Sequence, residues 1–198
     1  MAWPEPVTLR GTHAVLAPLL AVHHEPLTDA VRDGELWHLW YTAIPRPEAM
    51  RAEIDRRLDL QARGSMLPFT VQDAHGRVVG MTTYMNIDAA QKRLEIGSTW
   101  YARSVQRTPL NTNCKLLLLT HAFEALGCIA VEFRTSFFNQ QSRAAILRLG
   151  AKQDGILRSH QRHADGSLRD TCVYSIIACE WPAVKQHLQF QLARPRAH

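Results

Sequence analysis

Three strand-like runs follow one another almost without interruption: LPFTVQD (67–73), RVVGMTTYMNI (77–87) and RLEIGSTWY (93–101). The first two are separated by a turn at His75-Gly76 and the last two by the polar AAQK. Connections this short leave no room for a crossover helix, so the runs must pair as an antiparallel meander. The period then changes. A polar segment, VQRTPLNTNCK (105–115), leads into KLLLLTHAFEAL, where Leu116, Leu119, Phe123 and Leu126 recur at helical spacing and predict a helix over 115–126. CIAVEFRTS (128–136) follows as a buried strand. Strand, polar loop and helix in this order aim backbone N–H groups and the positive end of a helix dipole at an anion, usually a phosphate.

The flanks extend the pattern. VTLRGTHAVLAPL predicts a strand, a turn at Gly11 and a second short strand ending at Pro18. Leu19 to Ile44, with the Trp- and His-rich ELWHLWYTAI, predicts helix in two pieces around Gly34. Pro47 at a first-turn position, then Met50, Ile54 and Leu58 at four-residue spacing, mark an amphipathic helix ending near Gly64. Asn139 is placed to cap QQSRAAILRL, which ends at Gly150. A last hairpin turns at Asp165-Gly166, and EWPAVKQHLQFQL, with Val184, Leu188 and Leu192 on one face, closes the chain as a helix. The order predicts one α/β (α+β) domain over residues 1–198, a mixed, mostly antiparallel sheet flanked by helices.

Composition narrows the function. With 46% apolar residues the chain can bury a full core. It contains no window near the roughly 18 apolar residues of a membrane span and no basic-then-apolar leader, which predicts a cytoplasmic protein without a membrane partner. Cys114, Cys128, Cys172 and Cys179 include no C-x-x-C pair and suit a reducing compartment. The ten histidines include an adjacent pair, His23-His24, and His160 and His163, which a strand points to opposite faces; buried or surface histidines are expected, not metal ligands. A formal charge of +5 favours a polyanionic partner, a phosphate-rich cofactor or nucleic acid. The basic residues are scattered and no helix-turn-helix or RNP-like signature occurs, which argues against nucleic acid.

Several segments together, LEIGSTWY, the N-T-x-x-K of Asn111, Thr112 and Lys115, HAFEALG, VEFRTSFFNQQSRAAILRLGA, and the tail elements DG…RDT and YSI…EWPAVK, resemble the GCN5-related N-acetyltransferase (GNAT) superfamily, in the branch of the ribosomal-protein N-acetyltransferases. The likeness covers essentially the whole chain and lies in the order and spacing of the motifs. It implies acetyl-CoA as co-substrate and direct acetyl transfer to a primary amine, either a protein N-terminus or a small molecule. It leaves open an acyltransferase for longer acyl chains, a CoA-binding regulatory homologue with little catalysis, and pairing of the last hairpin and C-terminal helix in a homodimer.

Thioester aminolysis needs a phosphate cradle, an open strand edge for the pantetheine amides, a base for the ammonium and donors for the oxyanion. Where the family has Q/R-x-x-G-x-G/A, this chain has Gln106, Arg107, Thr108, Pro109, Leu110, Asn111 and Thr112, without either glycine, so side chains, with Lys115, would substitute for backbone. Strand alternation sets Leu94, Ile96, Ser98 and Trp100 on one face and Glu95, Gly97, Thr99 and Tyr101 on the other. Glu95 is then the base, directly or through a water, or a half-exposed surface carboxylate. By resemblance the backbone of Ser98, Thr99 and Trp100 pairs with pantetheine and supplies an oxyanion N–H. Asn139 takes the cofactor-contacting position, or is an ordinary cap. Ser142 lies where a hydroxyl can protonate the departing thiolate, with Tyr174 a second acid or simply core. Arg143 reaches an adenosine phosphate or is solvated. Trp37, Trp40 and Tyr41 shape the acceptor site or pack the core.

Overall fold

The computed structural model describes residues 3–163 and 165–194. Its frame is one eight-stranded sheet, ordered β1-β2-β3-β4-β5-β6-β8-β7. The strands are β1 (Leu9–Arg10), β2 (Ala14–Pro18), β3 (Met66–Asp73), β4 (Val78–Asp88), β5 (Arg93–Tyr101), β6 (Ala130–Ser136), β7 (Lys152–Arg162) and β8 (Leu168–Ile177). The meander predicted from the short turns is present as β3, β4 and β5, and every described neighbouring pair is antiparallel except β5–β6.

That exception shapes the molecule. The ladder between β5 and β6 holds only at Arg93–Ala130, Leu94–Val131 and Glu95–Glu132, and beyond it the two strands part. A twisted sheet whose central strands diverge this way opens a V, and the backbone groups on its inner edges have no ladder partner.

Helices cover both faces. α1 (His24–Arg32) and α2 (Met50–Ala62) lie on one face, where Leu27, Val31, Met50 and Ile54 pack against Met81 and Trp100. α3 (Leu110–Thr120), α4 (Gln140–Arg148) and α5 (Trp181–Ala193) lie on the other, with Cys114, Leu118, Ile146 and Leu188 against Tyr84, Ile96 and Phe133. Of the region predicted as two helices around Gly34, only α1 is a full helix; the second piece is the short 3₁₀ turn Leu36–His38. α3 begins at Leu110, five residues before the predicted start, because Pro109 sets the first turn and Asn113 N bonds Pro109 O at 3.0 Å. It ends in a π turn, His121–Ala125.

Candidate active site

The strand alternation expected for β5 holds only as far as Gly97. Ser98 adopts φ 46°, and the partners of Met81 and Thr83 on β4 are Trp100 and Gly97, so one extra residue bulges from β5. A bulge inverts the facing of every residue after it. Thr99 and Tyr101 therefore join the α3 face with Ile96, while Trp100 joins the α2 face with Glu95, correcting the predicted grouping of Ser98 and Trp100 with Ile96.

Two cations hold this bulge from opposite faces. From α2, Arg57 is 2% exposed; its Nε donates to Glu53 Oε1 (2.6 Å), Nη1 to Thr83 Oγ1 (2.7 Å), and both terminal nitrogens to Ser98 O (3.4 Å each). From α3, buried Lys115 donates from Nζ to Thr99 Oγ1 at 3.0 Å and to Thr82 Oγ1 at 3.4 Å. No carboxylate meets this ammonium within 4.0 Å among the described residues, and burial pulls its pKa down to about 8. The sequence places Lys115 on the phosphate loop; the earlier start of α3 carries it under the sheet instead. Nothing local in the sequence singles out Arg57 as a residue that reaches β5, although its place on the buried Met50-Ile54-Arg57 stripe marks a charge on a buried helix face.

At the closed end of the V, Glu95 lines a cleft of about 150 Å³ with Asn86, Asp88, Glu132 and Arg134. Glu95 is 4% exposed, which removes the alternative of a surface carboxylate. Its Oε2 accepts from Asn86 Nδ2 at 2.7 Å and lies 3.5 Å from Arg134 Nε. Burial raises its pKa against the pull of Asn86 and Arg134. A Cβ at residue 97 would lie 2.8 Å from Glu95 Oε1 and 2.7 Å from Met85 Sδ, so only glycine leaves the carboxylate its place.

The glycine-free loop is built from side chains. Gln106 Nε2 ties it to Tyr101 O (3.0 Å), and Thr108 Oγ1 donates to Val105 O (2.7 Å) while accepting from Leu110 N (3.3 Å). Exposed Arg107 supplies the left-handed residue at φ 60°. Leu110 and Thr112 face inward: Leu110 joins the core, and Thr112 Oγ1 accepts from Arg148 Nη1 at 3.2 Å. The N–H groups of Asn111 and Thr112 belong to the first turn of α3, where no intrahelical acceptor exists, and with Arg107 they form a cradle suited to an anion.

Past the end of β6, Asn139 caps α4 through Oδ1, which accepts from Ser142 N at 3.0 Å. Arg143, half-buried and not solvated as a helix arginine commonly is, donates from Nε to Tyr174 Oη (3.1 Å) and stacks on Phe137. Tyr174 is fully buried against the α3 face, with its hydroxyl at the start of α4. A strap crosses from α1: Asp33 accepts from the backbone of Arg103 and Ser104 beyond β5, and Trp40 packs at 5.4 Å against both Phe138 beyond β6 and His163 by the β7–β8 turn. Trp40 and Tyr41 thus lie at the mouth of the V; Trp37 packs against the α1–α2 core.

A mixed sheet split at one parallel junction, a bulged strand on its inner edge and a helix N-terminus beside it define an acyl-CoA acyltransferase frame. The family model of the acetyltransferase (GNAT) domain matches residues 14–152, and the chain belongs to that family. It is similar to a GCN5-related N-acetyltransferase from Brucella melitensis, with 34% identity, a TM-score of 0.83, and coverage of 96% of this chain and 87% of that one. An acetyltransferase from T. thermophilus has 31% identity and a TM-score of 0.83 over 96% of this chain and 99% of its own. YdaF of Bacillus subtilis (strain 168), provisionally named a ribosomal N-acetyltransferase, is 30% identical over 110 residues, 56% of this chain; the chain spans 59% of that relative's length. Mycobacterium smegmatis RimJ, solved with CoA-disulfide, shares the fold (TM-score 0.78, 21% identity, 96% of each chain).

Proposed function

We propose that this chain is an N-acetyltransferase that moves the acetyl group of acetyl-CoA directly to a primary amine. The observation that carries this is the V between β5 and β6, with the buried Glu95 at its closed end and the cradle of Arg107, Asn111 and Thr112 at the start of α3. Acetyl-CoA, when bound, supplies the activated acyl carbon.

The remaining chemistry belongs to the protein's own groups. The unpaired inner edge of β5 offers N–H and C=O groups to an extended amide chain, as a sheet edge does to any added strand. The cradle holds the phosphates, and Asn139 keeps its Nδ2 donors for the ligand while its oxygen caps α4. Glu95, with its raised pKa, takes a proton from the acceptor ammonium, directly or through one water. The bulge backbone at Ser98 to Trp100, flanked by Arg57 and Lys115, is the positive environment for developing oxyanion charge. Ser142, or the Tyr174 hydroxyl held by Arg143, returns a proton to the thiolate.

The acceptor is a protein N-terminal amine or a small-molecule amine; the similarity to YdaF favours the first. A second reading, CoA binding with little transfer, draws on the left-handed, glycine-free loop at Arg107. The test is calorimetric titration with acetyl-CoA and CoA for wild type, Arg107→Ala and Asn139→Ala, followed by an amine screen. Binding weakened in the variants, with turnover of an amine, supports the proposal. Binding without turnover leaves the second reading, and no binding at high concentration overturns both.

A further inference from the structure

Three side chains on the α3 face of the β5 bulge form a chain of donors that ends at its surface. Lys115 Nζ donates to Thr99 Oγ1 at 3.0 Å and to Thr82 Oγ1 at 3.4 Å, and the two hydroxyl oxygens lie 2.8 Å apart. Thr82 is fully buried, and among the described residues its hydroxyl bonds only to Lys115 and Thr99. An ammonium accepts nothing, so the Thr82 proton must go to Thr99 Oγ1. Thr99 Oγ1 then receives two donors, one of them cationic, and both of its lone pairs are used. Its own proton is left with Gly97 O at 3.3 Å, longer than a good O–H···O bond.

The chain has a direction. Its inner members, Lys115 and Thr82, are closed to solvent, whereas Thr99 is half-buried and stands beside exposed Ser98 on the part of β5 beyond the β6 ladder. A hydroxyl that accepts from a cation donates its own hydrogen bond more strongly, because each link polarises the next. The arrangement is also costly: among the described residues no carboxylate pairs with the ammonium within 4.0 Å, and burial works against its charge. An apolar side chain of the same length would suit the interior better, and a local rule broken this way points to the site rather than to the core.

We propose that the Thr99 hydroxyl donates a hydrogen bond to the thioester carbonyl oxygen of bound acetyl-CoA as that oxygen becomes negative, with Lys115 and Thr82 as positioning residues behind it. The proposal rests on the acetyltransferase reading above and adds a side-chain donor to the bulge backbone placed there. No proton is transferred: the hydroxyl moves its bond from Gly97 O to the ligand, and the charge of the ammonium acts on the oxyanion through one intervening oxygen.

Thr99→Val removes the hydroxyl at nearly constant shape and should lower kcat by roughly 10²- to 10³-fold, the range for loss of one oxyanion donor, with acetyl-CoA affinity unchanged by calorimetry. Thr99→Ser should keep most of the wild-type rate. Lys115→Met, an apolar replacement the interior accepts, should lower kcat by about 10- to 100-fold, and the double variant should be no slower than Thr99→Val alone, because the ammonium acts only through the hydroxyl. Losses that multiply in the double variant, or a wild-type rate in Thr99→Val, overturn the proposal. A second readout needs no acceptor amine. In the infrared difference spectrum of acetyl-CoA isotope-labelled at the thioester carbonyl, the C=O stretch should fall in frequency on binding to wild type and Thr99→Ser, and fall less in Thr99→Val and Lys115→Met. If that pattern appears but no amine turns over, the donor chain stands and the transfer reading fails. If amines turn over and the stretch is the same in every variant, the transfer reading stands and the donor chain falls; acetyl-CoA that does not bind overturns both.

Discussion

The guanidinium of Arg57 reaches the carbonyl of Ser98 with both of its terminal nitrogens, at 3.4 Å each. The contact joins α2 to the one left-handed residue of β5, and Glu53 and Thr83 hold the guanidinium in line for it. Arg57→Met removes one of the two arginines that hold Glu53, Arg56 being the other, and frees the bulge. Loss of buried hydrogen bonds made by a charged group costs on the order of 1–3 kcal/mol. Urea unfolding should show that loss, and whatever fraction remains folded should have a lower kcat than wild type; an unchanged midpoint would contradict the clamp.

Burial disfavours the charged form of Glu95, so removing its charge separates stability from catalysis. Its folded pKa is raised above the unfolded value, and the stability it contributes is therefore present at low pH and lost as pH rises through the folded pKa. Glu95→Gln should be at least as stable as wild type at pH 7 and lose about 10²- to 10⁴-fold in kcat. The wild-type rate should climb with pH through the raised Glu95 pKa. A Gln variant with the wild-type pH profile would assign the base elsewhere.

Lys115 makes the opposite prediction for alkaline pH. Its pKa falls to about 8 in the folded chain from 10.5, so the unfolded state binds more protons between those values and stability rises with pH across that window. Below pH 8 the charged form carries a penalty of roughly 3 kcal/mol. Lys115→Met should therefore be the more stable protein in denaturant at pH 7, and its advantage should shrink toward pH 10. A constant advantage across that range would show that packing, not charge, sets the difference.

Gly34 sits where the strap leaves α1, at φ 101°, and an added Cβ would come within 2.6 Å of Arg103 Cβ. Gly34→Ala should cost on the order of 1–3 kcal/mol and displace the Trp40 contacts at the far end. The expected kinetic signature is a raised KM for the amine with unchanged CoA affinity, read by steady-state kinetics and calorimetry.

Much of this fold was legible because its signals are local. Short turns at His75-Gly76 and Asp165-Gly166 dictated antiparallel pairing, and the Asn139 cap and Pro47 start marked helices by their own chemistry. The candidate base was legible too, as a carboxylate beside a glycine. The facing of Thr99 and Trp100 was not, since a single residue at φ 46° inverts an alternation that sequence carries unbroken. Lys115 was misplaced for a related reason: a helix start shifted by five residues rotates a side chain from the loop into the interior. Arg57 acts through Thr83 and Ser98, 26 and 41 residues away, and no short window of sequence contains that information.

The three-residue ladder between β5 and β6 divides the described sheet into two antiparallel blocks, β1 to β5 and β6 to β8, each closed by its own hairpins. Such a seam makes the protein a pair of cooperative units sharing one core, and amide exchange should be slowest in β4 and β8 at the heart of each unit. If substrate enters between β5 and β6, as proposed, it does so where the two units are least attached, and the opening that admits it disturbs neither block's own hydrogen bonds.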